Sequence, residues 1–282
     1  YKSCDHISCI SKLSHTIVSS FGVPCSYVAH GIDTNIFKPL EDRAIVEIHK
    51  AKLIKNAYKY DDDTFFVLWN NRNIRRKIPG EVLNAFAQFN KMVPNAILIM
   101  HTNVIDGEGT DLYAVKEDLY PDSKVIFTDF KIDQHGLNII YNMADTVVNI
   151  SFNEGFGLAT IEAMSAGVPI IVTKTGGLQD QVEFDDKKCG ILIPPVSRTI
   201  VGSVPTPYIY DDRISTEQLI NALKEMNDLG KEGRKELAKN ARLNAETNFS
   251  AEKMCKGIEA DIRSCLQNFK PRISWQCTEF KR

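Results

Sequence analysis

The chain has 282 residues, of which 43 % are hydrophobic and 25 % are charged, and its formal net charge is −2. This composition is typical of a globular protein with one large or two modest domains, and it excludes a disordered or fibrous chain. A net charge so close to zero gives no general attraction to nucleic acid or to an anionic membrane. No stretch approaches the ~20 apolar residues that span a bilayer, and no signal peptide is recognisable, so we expect no transmembrane segment and a cytoplasmic protein.

Residues 1–30 have the pattern of a short β/α/β unit. Residues 7–10 and 26–29 are apolar and strand-like, and residues 12–21 have helical spacing. The turn-rich segment 31–39 follows and resembles a linker. His30 lies at its start and could face a cleft.

The rest of the chain alternates between apolar strands and amphipathic helices. In chain order, the predicted strands are 64–69, 96–100, 124–127, 146–150, 168–172 and 190–193. The predicted helices between them are 79–92, 134–143 and 158–166, and a charged helical tail runs from 216 to about 266, with breaks near Gly230 and Ser250. Continuous apolar strands separated by helices predict an α/β fold, a parallel sheet with helices on both faces. Such sheets bind ligands at the carboxyl ends of their strands.

Seven cysteines are scattered along the chain without a CxxC pair. This spacing favours reduced thiols over a disulfide framework or a structural zinc site. Asp61, Asp62 and Asp63 contain a DxD pattern, but they precede a predicted strand, so we interpret them as a solvated turn and predict no metal site.

The most informative segment is 151–162, where a strand ends and a helix begins. Gly155 and Gly157 allow the backbone to approach a ligand closely, and the first amides of the helix are unpaired donors that suit an anion. Glu154 in the loop and Glu162 inside the helix are strong acceptors that could each contact hydroxyls of one long ligand.

A basic loop, 70–77, follows the first strand of the predicted sheet and should open on the same edge. Arginine and lysine side chains of this loop could neutralise a diphosphate there. We expect Arg75 and Arg76 to form a solvated face of the loop instead.

Together these segments resemble the retaining glycosyltransferases of the GT-B fold, in particular family 4. Glu154 and Glu162 match the two positions of that family's EX7E motif, and Arg72 and Lys77 match its paired basic residues. Residues 28–33, 141–145 and 162–169 also resemble family segments, so the resemblance covers roughly residues 5 to 260.

The resemblance implies a role for each matching residue. Glu162 would bind the ribose hydroxyls, and Glu154 would face the hydroxyls of the donor sugar. Arg72 and Lys77 would grip the diphosphate and assist catalysis together with Glu154. The remaining nucleotide-sugar contacts would come from backbone donors at the helix start and from residues after neighbouring strands, namely Gly155, Phe156, Gly157, Leu158, His101, Phe130 and Lys131.

The implied fold is the Rossmann-like C-terminal domain of a GT-B enzyme with a remnant of the N-terminal domain. Residues 1–38 would be that remnant with the linker, 39–265 the donor domain, and 266–282 a crossover tail. The implied enzyme is a hexosyltransferase that uses a GDP- or UDP-hexose, needs no cofactor or metal, and glycosylates a hydroxyl of a glycan, a glycolipid or a protein glycan.

Two alternatives stay open. The chain could be a non-catalytic nucleotide-sugar-binding fragment, since most of the acceptor half is not recognisable. It could also be a nucleotide-sugar epimerase or a phosphorylase-like enzyme on a similar fold. No P-loop and no GxGxxG motif occurs, so an ordinary nucleotide triphosphate or dinucleotide site is not predicted.

Overall fold

The computed structural model describes residues 4–54 and 57–269. The strands are β1 (Ile7–Cys9), β2 (Cys25–Tyr27), β3 (Phe65–Asn70), β4 (Ala96–His101), β5 (Val125–Thr128), β6 (Thr146–Asn149), β7 (Ile170–Thr173), β8 (Glu183–Phe184), β9 (Lys187–Lys188), β10 (Gly190–Ile193), β11 (Ser197–Ile200) and β12 (Tyr210–Arg213). The helices are α1 (Lys12–Ser20), α2 (Arg43–Ile54), α3 (Pro79–Met92), α4 (Leu112–Ala114), α5 (Gln134–Met143), α6 (Leu158–Ser165), α7 (Thr216–Asp228), α8 (Gly230–Asn248) and α9 (Ala251–Asn268).

The central sheet confirms the predicted fold class. Its six strands run parallel in the order β10-β7-β6-β3-β4-β5. Each predicted strand is present within two residues of its predicted ends. Short, nearly continuous apolar runs are typical of parallel strands, which are buried on both faces. The carboxyl ends of β3, β4 and β6 therefore meet at one edge.

Alternate side chains of each strand enter two separate cores. Leu68 and Ile97 pack on the face covered by α2, α5, α6 and α8, whereas Val67 and Leu98 pack on the face covered by α3 and α7. Successive side chains of a strand point to opposite faces of the sheet, so each apolar run contributes to both cores. Helix α6 contacts β6 and β7 of this sheet, as well as α5 and α8.

The N-terminal unit packs against the C-terminal helix. β1 and β2 pair in parallel, and Asp261 of α9 accepts hydrogen bonds from Ser8 and Ser26 at 2.5 Å each. The linker is fixed at the α8–α9 junction, where Ile32 exchanges backbone hydrogen bonds with Phe249 and Ala251. Ser250 caps α9 as predicted, by accepting a hydrogen bond from the backbone N–H of Lys253.

Helices α2 and α4 and the hairpins β8–β9 and β11–β12 were not predicted from the sequence. Helix α2 buries only Val46 and Ile54, so its apolar periodicity is weak. The hairpin β11–β12 has a first strand that is exposed along its whole length, so it lacks the alternation that marks a half-buried strand.

The six described cysteines are free thiols, as predicted, and Cys277 lies outside the described residues. Within the described ranges, no helix is long and apolar enough to cross a membrane. Most of the predicted crossover tail, 266–282, also lies outside those ranges.

Candidate functional site

A cleft of about 560 Å³ opens at the carboxyl edge of the sheet, between the loop after β3 and the start of α6. It brings together eight of the predicted site residues: Arg72, Lys77, Glu154, Gly155, Phe156, Gly157, Leu158 and Glu162. His30 of the linker and Ile10 of the N-terminal unit complete its wall. A larger cavity of about 670 Å³ lies between the N-terminal unit and α9, but it contains neither motif carboxylate.

Glu154 is the centre of a charged cluster in this cleft. Its Oε2 accepts hydrogen bonds from Lys77 Nζ and, at 3.2 Å, from Arg76 Nη1. The side chains of Lys77 and Glu154 are only 9 % and 11 % exposed, so water screens this ion pair weakly. Burial lowers the pKa of Lys77, although the neighbouring Glu154 carboxylate opposes that effect.

Arg76 corrects a sequence-based expectation. We expected a solvated arginine, but its Nη1 also donates to the backbone oxygen of Asn153 at 3.0 Å, which joins the two loops of the cleft. The expectation holds for Arg75, which is exposed. The two differ because residues 75–77 form one 3₁₀ turn, so that consecutive side chains point in different directions.

Arg72 lines the cleft but is bound elsewhere. Its Nε donates to Asp106 at 3.2 Å, and Glu108 lies 3.8 Å from its Nη2. The hydrogen bond that Arg72 donates to Asp106 raises the pKa of this exposed arginine. Sequence spacing pairs Arg72 with Lys77, whereas the structure holds Arg72 against the loop after β4.

The loop before α6 requires glycine at Gly157, and the segment behind the loop requires it at Gly176. Gly157 precedes the helix at φ 94°, and a Cβ there would lie 2.6 Å from Leu178 Cδ2. Behind the loop, a Cβ on Gly176 would lie 1.8 Å from the backbone oxygen of Glu154. The buried Gln181 donates to the backbone oxygen of Phe156 at 2.7 Å. These contacts fix the loop from its inner side and leave Gly155 exposed to the cleft.

Glu162 lies one turn into α6 and is hydrogen-bonded to a fully buried tyrosine. Tyr141 Oη donates to Glu162 Oε2 at 2.7 Å and accepts a hydrogen bond from Asn70 Nδ2, also at 2.7 Å. Burial raises the pKa of Glu162, and the Tyr141 hydroxyl acts in the opposite direction.

The basic loop is fixed by buried amides. Asn73 is completely buried, and its Nδ2 donates to three backbone oxygens in the segment 103–110. Ile78 ends the loop in the left-handed region at φ 45°, which is unusual for a β-branched residue and indicates local strain. Asn71 lines the cleft, and its buried Nδ2 has no hydrogen-bond partner within the described chain.

Three predicted nucleotide contacts lie beside the cleft rather than in its lining. His101 ends β4, its Nδ1 lies 2.9 Å from Thr128 Oγ1, and its ring contacts the edge of Phe130 at a centroid distance of 6.2 Å. Burial lowers the pKa of His101. Phe130 and Lys131 are exposed in the loop after β5, where a planar group could stack on the phenyl ring.

The side chain of Phe156 is a packing element. It is 3 % exposed, and its ring contacts His30 and Phe249 edge-on at centroid distances of 5.4 and 5.6 Å. The contact also connects the linker, the motif loop and the α8–α9 junction.

Sequence reasoning missed the roles of Asn70, Tyr141 and Gln181. No local pattern marks them, because each acts on a residue far away along the chain. The predicted DxD turn is correct, since Asp61 Oδ1 accepts hydrogen bonds from Thr64 and Asn95 in front of β3. In the described part of the chain, no cluster of three or more His, Cys, Asp or Glu side chains could hold a metal ion.

Comparison with known proteins identifies the family. The model of the family "Glycosyl transferases group 1" matches residues 50–244. Mannosylfructose-phosphate synthase from Agrobacterium fabrum is 27 % identical over 194 residues, which are 65 % of this chain and 41 % of that protein.

Two solved structures share the fold. Sucrose-phosphate synthase from Thermosynechococcus elongatus has a TM-score of 0.72 and 22 % identity, over 94 % of this chain and 59 % of that one. Anabaena HepE in complex with UDP and glucose has a TM-score of 0.70 and 20 % identity, over 93 % and 63 %. The chain thus spans less than two thirds of the length of each of these relatives. With more than half of its residues matched by the family model, the chain belongs to the group 1 glycosyl transferases.

Proposed function

We propose that this chain is the donor-binding half of a retaining glycosyltransferase of family 4. It would transfer a hexosyl group from a nucleoside diphosphate sugar to a hydroxyl acceptor. One observation carries the proposal: a single cleft holds a buried lysine, two acidic side chains eight positions apart, and the start of a helix whose glycine loop is rigid. Each of these features suits a different part of a nucleotide sugar.

The diphosphate would lie against Lys77, Arg76 and the first amides of α6. A partly buried ammonium group interacts more strongly with an anion than an exposed one does, because less water screens it. In the transfer step, negative charge accumulates on the departing nucleoside diphosphate, and fixed cations stabilise that charge. Arg72 could join them by exchanging Asp106 for a phosphate.

The sugar would lie against Glu154 and the free amide of Asn71. Glu154 Oε2 is bound to cations, so the carboxylate has a fixed position. From there it would accept hydrogen bonds from sugar hydroxyls and favour positive charge on the ring as the glycosidic bond breaks. The donor N–H of Asn71 would offset the loss of water around another sugar oxygen.

The nucleoside would extend toward α5 and β4. Glu162 would accept hydrogen bonds from the ribose, and the base would lie near Phe130, Lys131 and His101. Anabaena HepE, which shares the fold, was solved with UDP and glucose, and this supports a UDP-hexose as the donor. A GDP-hexose is the other donor that the family resemblance implies.

The remaining parts of the proposal follow from the family resemblance. The reaction would need no metal or cofactor, and the acceptor would be a glycan, a glycolipid or a protein glycan. Residues 1–38 would belong to the acceptor domain and 39–265 to the donor domain, and the enzyme would be cytoplasmic.

The test is calorimetric titration of the chain with UDP, GDP, UDP-glucose and GDP-mannose. Glu162→Ala, Lys77→Ala and Arg76→Ala should each weaken binding of the preferred nucleotide by about 1.5–3 kcal/mol, the value of a charge-assisted hydrogen bond. Arg75→Ala is the matched control. It removes the same charge from the adjacent position, where the side chain is exposed and contacts neither carboxylate.

Selective binding that the three changes weaken and Arg75→Ala does not would support the donor site. A folded wild-type chain that binds none of the four ligands would refute it. Binding without transfer to any acceptor would instead support the non-catalytic fragment.

A further inference from the structure

Three polar side chains from three separate elements form a continuous hydrogen-bonded row behind the cleft. Asn70 ends β3, Tyr141 lies in α5, and Glu162 lies in α6. The two donor–acceptor distances are 2.7 Å each, and Tyr141 is 0 % exposed. The row reaches the cleft at both ends, because Asn70 and Glu162 line it.

The proton positions in this row are fixed by its chemistry. Asn70 Nδ2 can only donate, so Tyr141 Oη accepts from it and directs its single proton to Glu162. Accepting one hydrogen bond makes a hydroxyl a stronger donor for the next one. The arrangement therefore requires an acceptor at Glu162 Oε2 and is satisfied by a carboxylate.

Glu162 has no other anchor in the described residues. It forms no ion pair there, and its Oε1 has no hydrogen-bond partner within the same residues. Without the tyrosine hydroxyl, the carboxylate could rotate about its terminal bonds. With Oε2 held by Tyr141, the carboxylate of this cleft-lining residue keeps one orientation and its Oε1 stays available as an acceptor.

We infer that Tyr141 is a positioning residue that sets the preference of this site for ribonucleotides. It fixes Glu162 so that the carboxylate accepts hydrogen bonds from both hydroxyls of a ribose at once. This inference rests on the proposed nucleotide site. It extends that site by assigning the preference for ribose over deoxyribose to Tyr141, a residue that the nucleotide itself need not contact.

The expected discrimination follows from hydrogen-bond accounting. A nucleotide without its 2′- or 3′-hydroxyl leaves a partly buried acceptor unpaired, which corresponds to an affinity loss of roughly 10- to 100-fold. A mobile carboxylate can reorient or recruit water, so most of this difference disappears. Tyr141→Phe should reduce the ribose-to-deoxyribose affinity ratio to about threefold or less.

The experiment compares three ligands on wild type and Tyr141→Phe by calorimetry. The ligands are the nucleoside diphosphate that wild type prefers, its 3′-deoxy analogue, and inorganic pyrophosphate. Tyr141→Phe should weaken the ribonucleotide, leave the deoxy analogue nearly unchanged and leave pyrophosphate unchanged. Tyr58→Phe is the control. Among residues 4–54 and 57–269, Tyr58 Oη bonds only to backbone groups of Ser123 and Val125, and it does not line the cleft.

The outcomes separate the inference from the proposed function. If wild type binds none of the three ligands, the donor site itself is wrong. If wild type binds the nucleotide but does not discriminate, or if Tyr141→Phe keeps the wild-type ratio, only the inference fails. Equal weakening of all three ligands would mean that Tyr141 has a merely structural role.

A second variant decides the matter if Tyr141→Phe does not fold. Asn70→Ala keeps the tyrosine but removes the donor that orients its hydroxyl. The affinity ratio should then fall to an intermediate value while pyrophosphate affinity is kept. An unchanged ratio in Asn70→Ala would overturn the inference.

Discussion

Replacement by alanine should destabilise the protein at one glycine of the motif loop, Gly157, but not at the other, Gly155. Gly157 has φ 94°, where an L-residue is strained by roughly 1–2 kcal/mol. A new Cβ there would lie 2.6 Å from Leu178 Cδ2 and 2.9 Å from Thr160 Oγ1. Both neighbours are fully buried, so neither can move away freely, and overpacking of this kind costs about 1–3 kcal/mol. Gly157→Ala should therefore lower the free energy of unfolding by roughly 2–5 kcal/mol.

Gly155→Ala is the matched control, two residues away in the same loop. Gly155 has no positive φ, and a Cβ would meet only Ile10 Cδ1 at 3.7 Å. Its alanine variant should be unchanged or more stable by up to about 1 kcal/mol, because alanine restricts the unfolded chain. Urea denaturation monitored by tryptophan fluorescence measures both variants, since Trp69 is fully buried in the sheet. Free energies of unfolding within about 0.5 kcal/mol of each other would refute the reasoning about this loop.

Three further predictions concern single groups. Glu162→Gln should raise the free energy of unfolding at pH 7 by about 0.5–2 kcal/mol in urea denaturation, because it removes a carboxylate whose pKa burial raises. The same change should weaken nucleotide binding. A variant less stable than wild type would contradict this prediction. Diphosphate affinity should fall as pH rises, at a lower pH than for an exposed lysine, because burial lowers the pKa of Lys77 and the neutral amine does not attract the anion. Calorimetry between pH 7 and 10 tests this with Lys77→Arg as the control, whose affinity should stay flat. Asn73→Ala should lower the free energy of unfolding by about 2–4 kcal/mol in urea denaturation, because it leaves several buried backbone groups without a hydrogen-bond partner. A loss below about 0.5 kcal/mol would show that Asn73 does not stabilise the basic loop.

The regular elements were largely predictable because their signals are local. Helices α3 and α5 begin and end at the predicted residues, Pro79–Met92 and Gln134–Met143. Their apolar residues repeat at helical spacing, and that spacing is a property of the sequence alone. Helix α2 and the hairpin β11–β12 were missed because they bury too few side chains to leave such a pattern.

The cleft was predictable as a location but not in its contacts. Glu154 and Glu162 follow one strand and Lys77 follows its neighbour, so a parallel sheet necessarily brings them to one edge. The sequence does not show which arginine contacts Glu154. That contact depends on the 3₁₀ turn at 75–77 and on the left-handed backbone of Ile78. These backbone features result from packing against the loops after β4 and β6, and no residue in the turn indicates them.

By itself, the sequence determined the alternation of strands and helices, the parallel sheet, and the edge at which the acidic and basic residues meet. All three follow from the burial of apolar runs, and each run is formed by residues that are close together in the sequence. Only the tertiary structure decided that Arg76 rather than Arg72 contacts Glu154, and that Asn70 and Tyr141 hold Glu162. Residues 70, 141 and 162 are far apart in sequence, and a hydrogen bond between them depends on distances of a few ångströms that only the packed sheet and helices define.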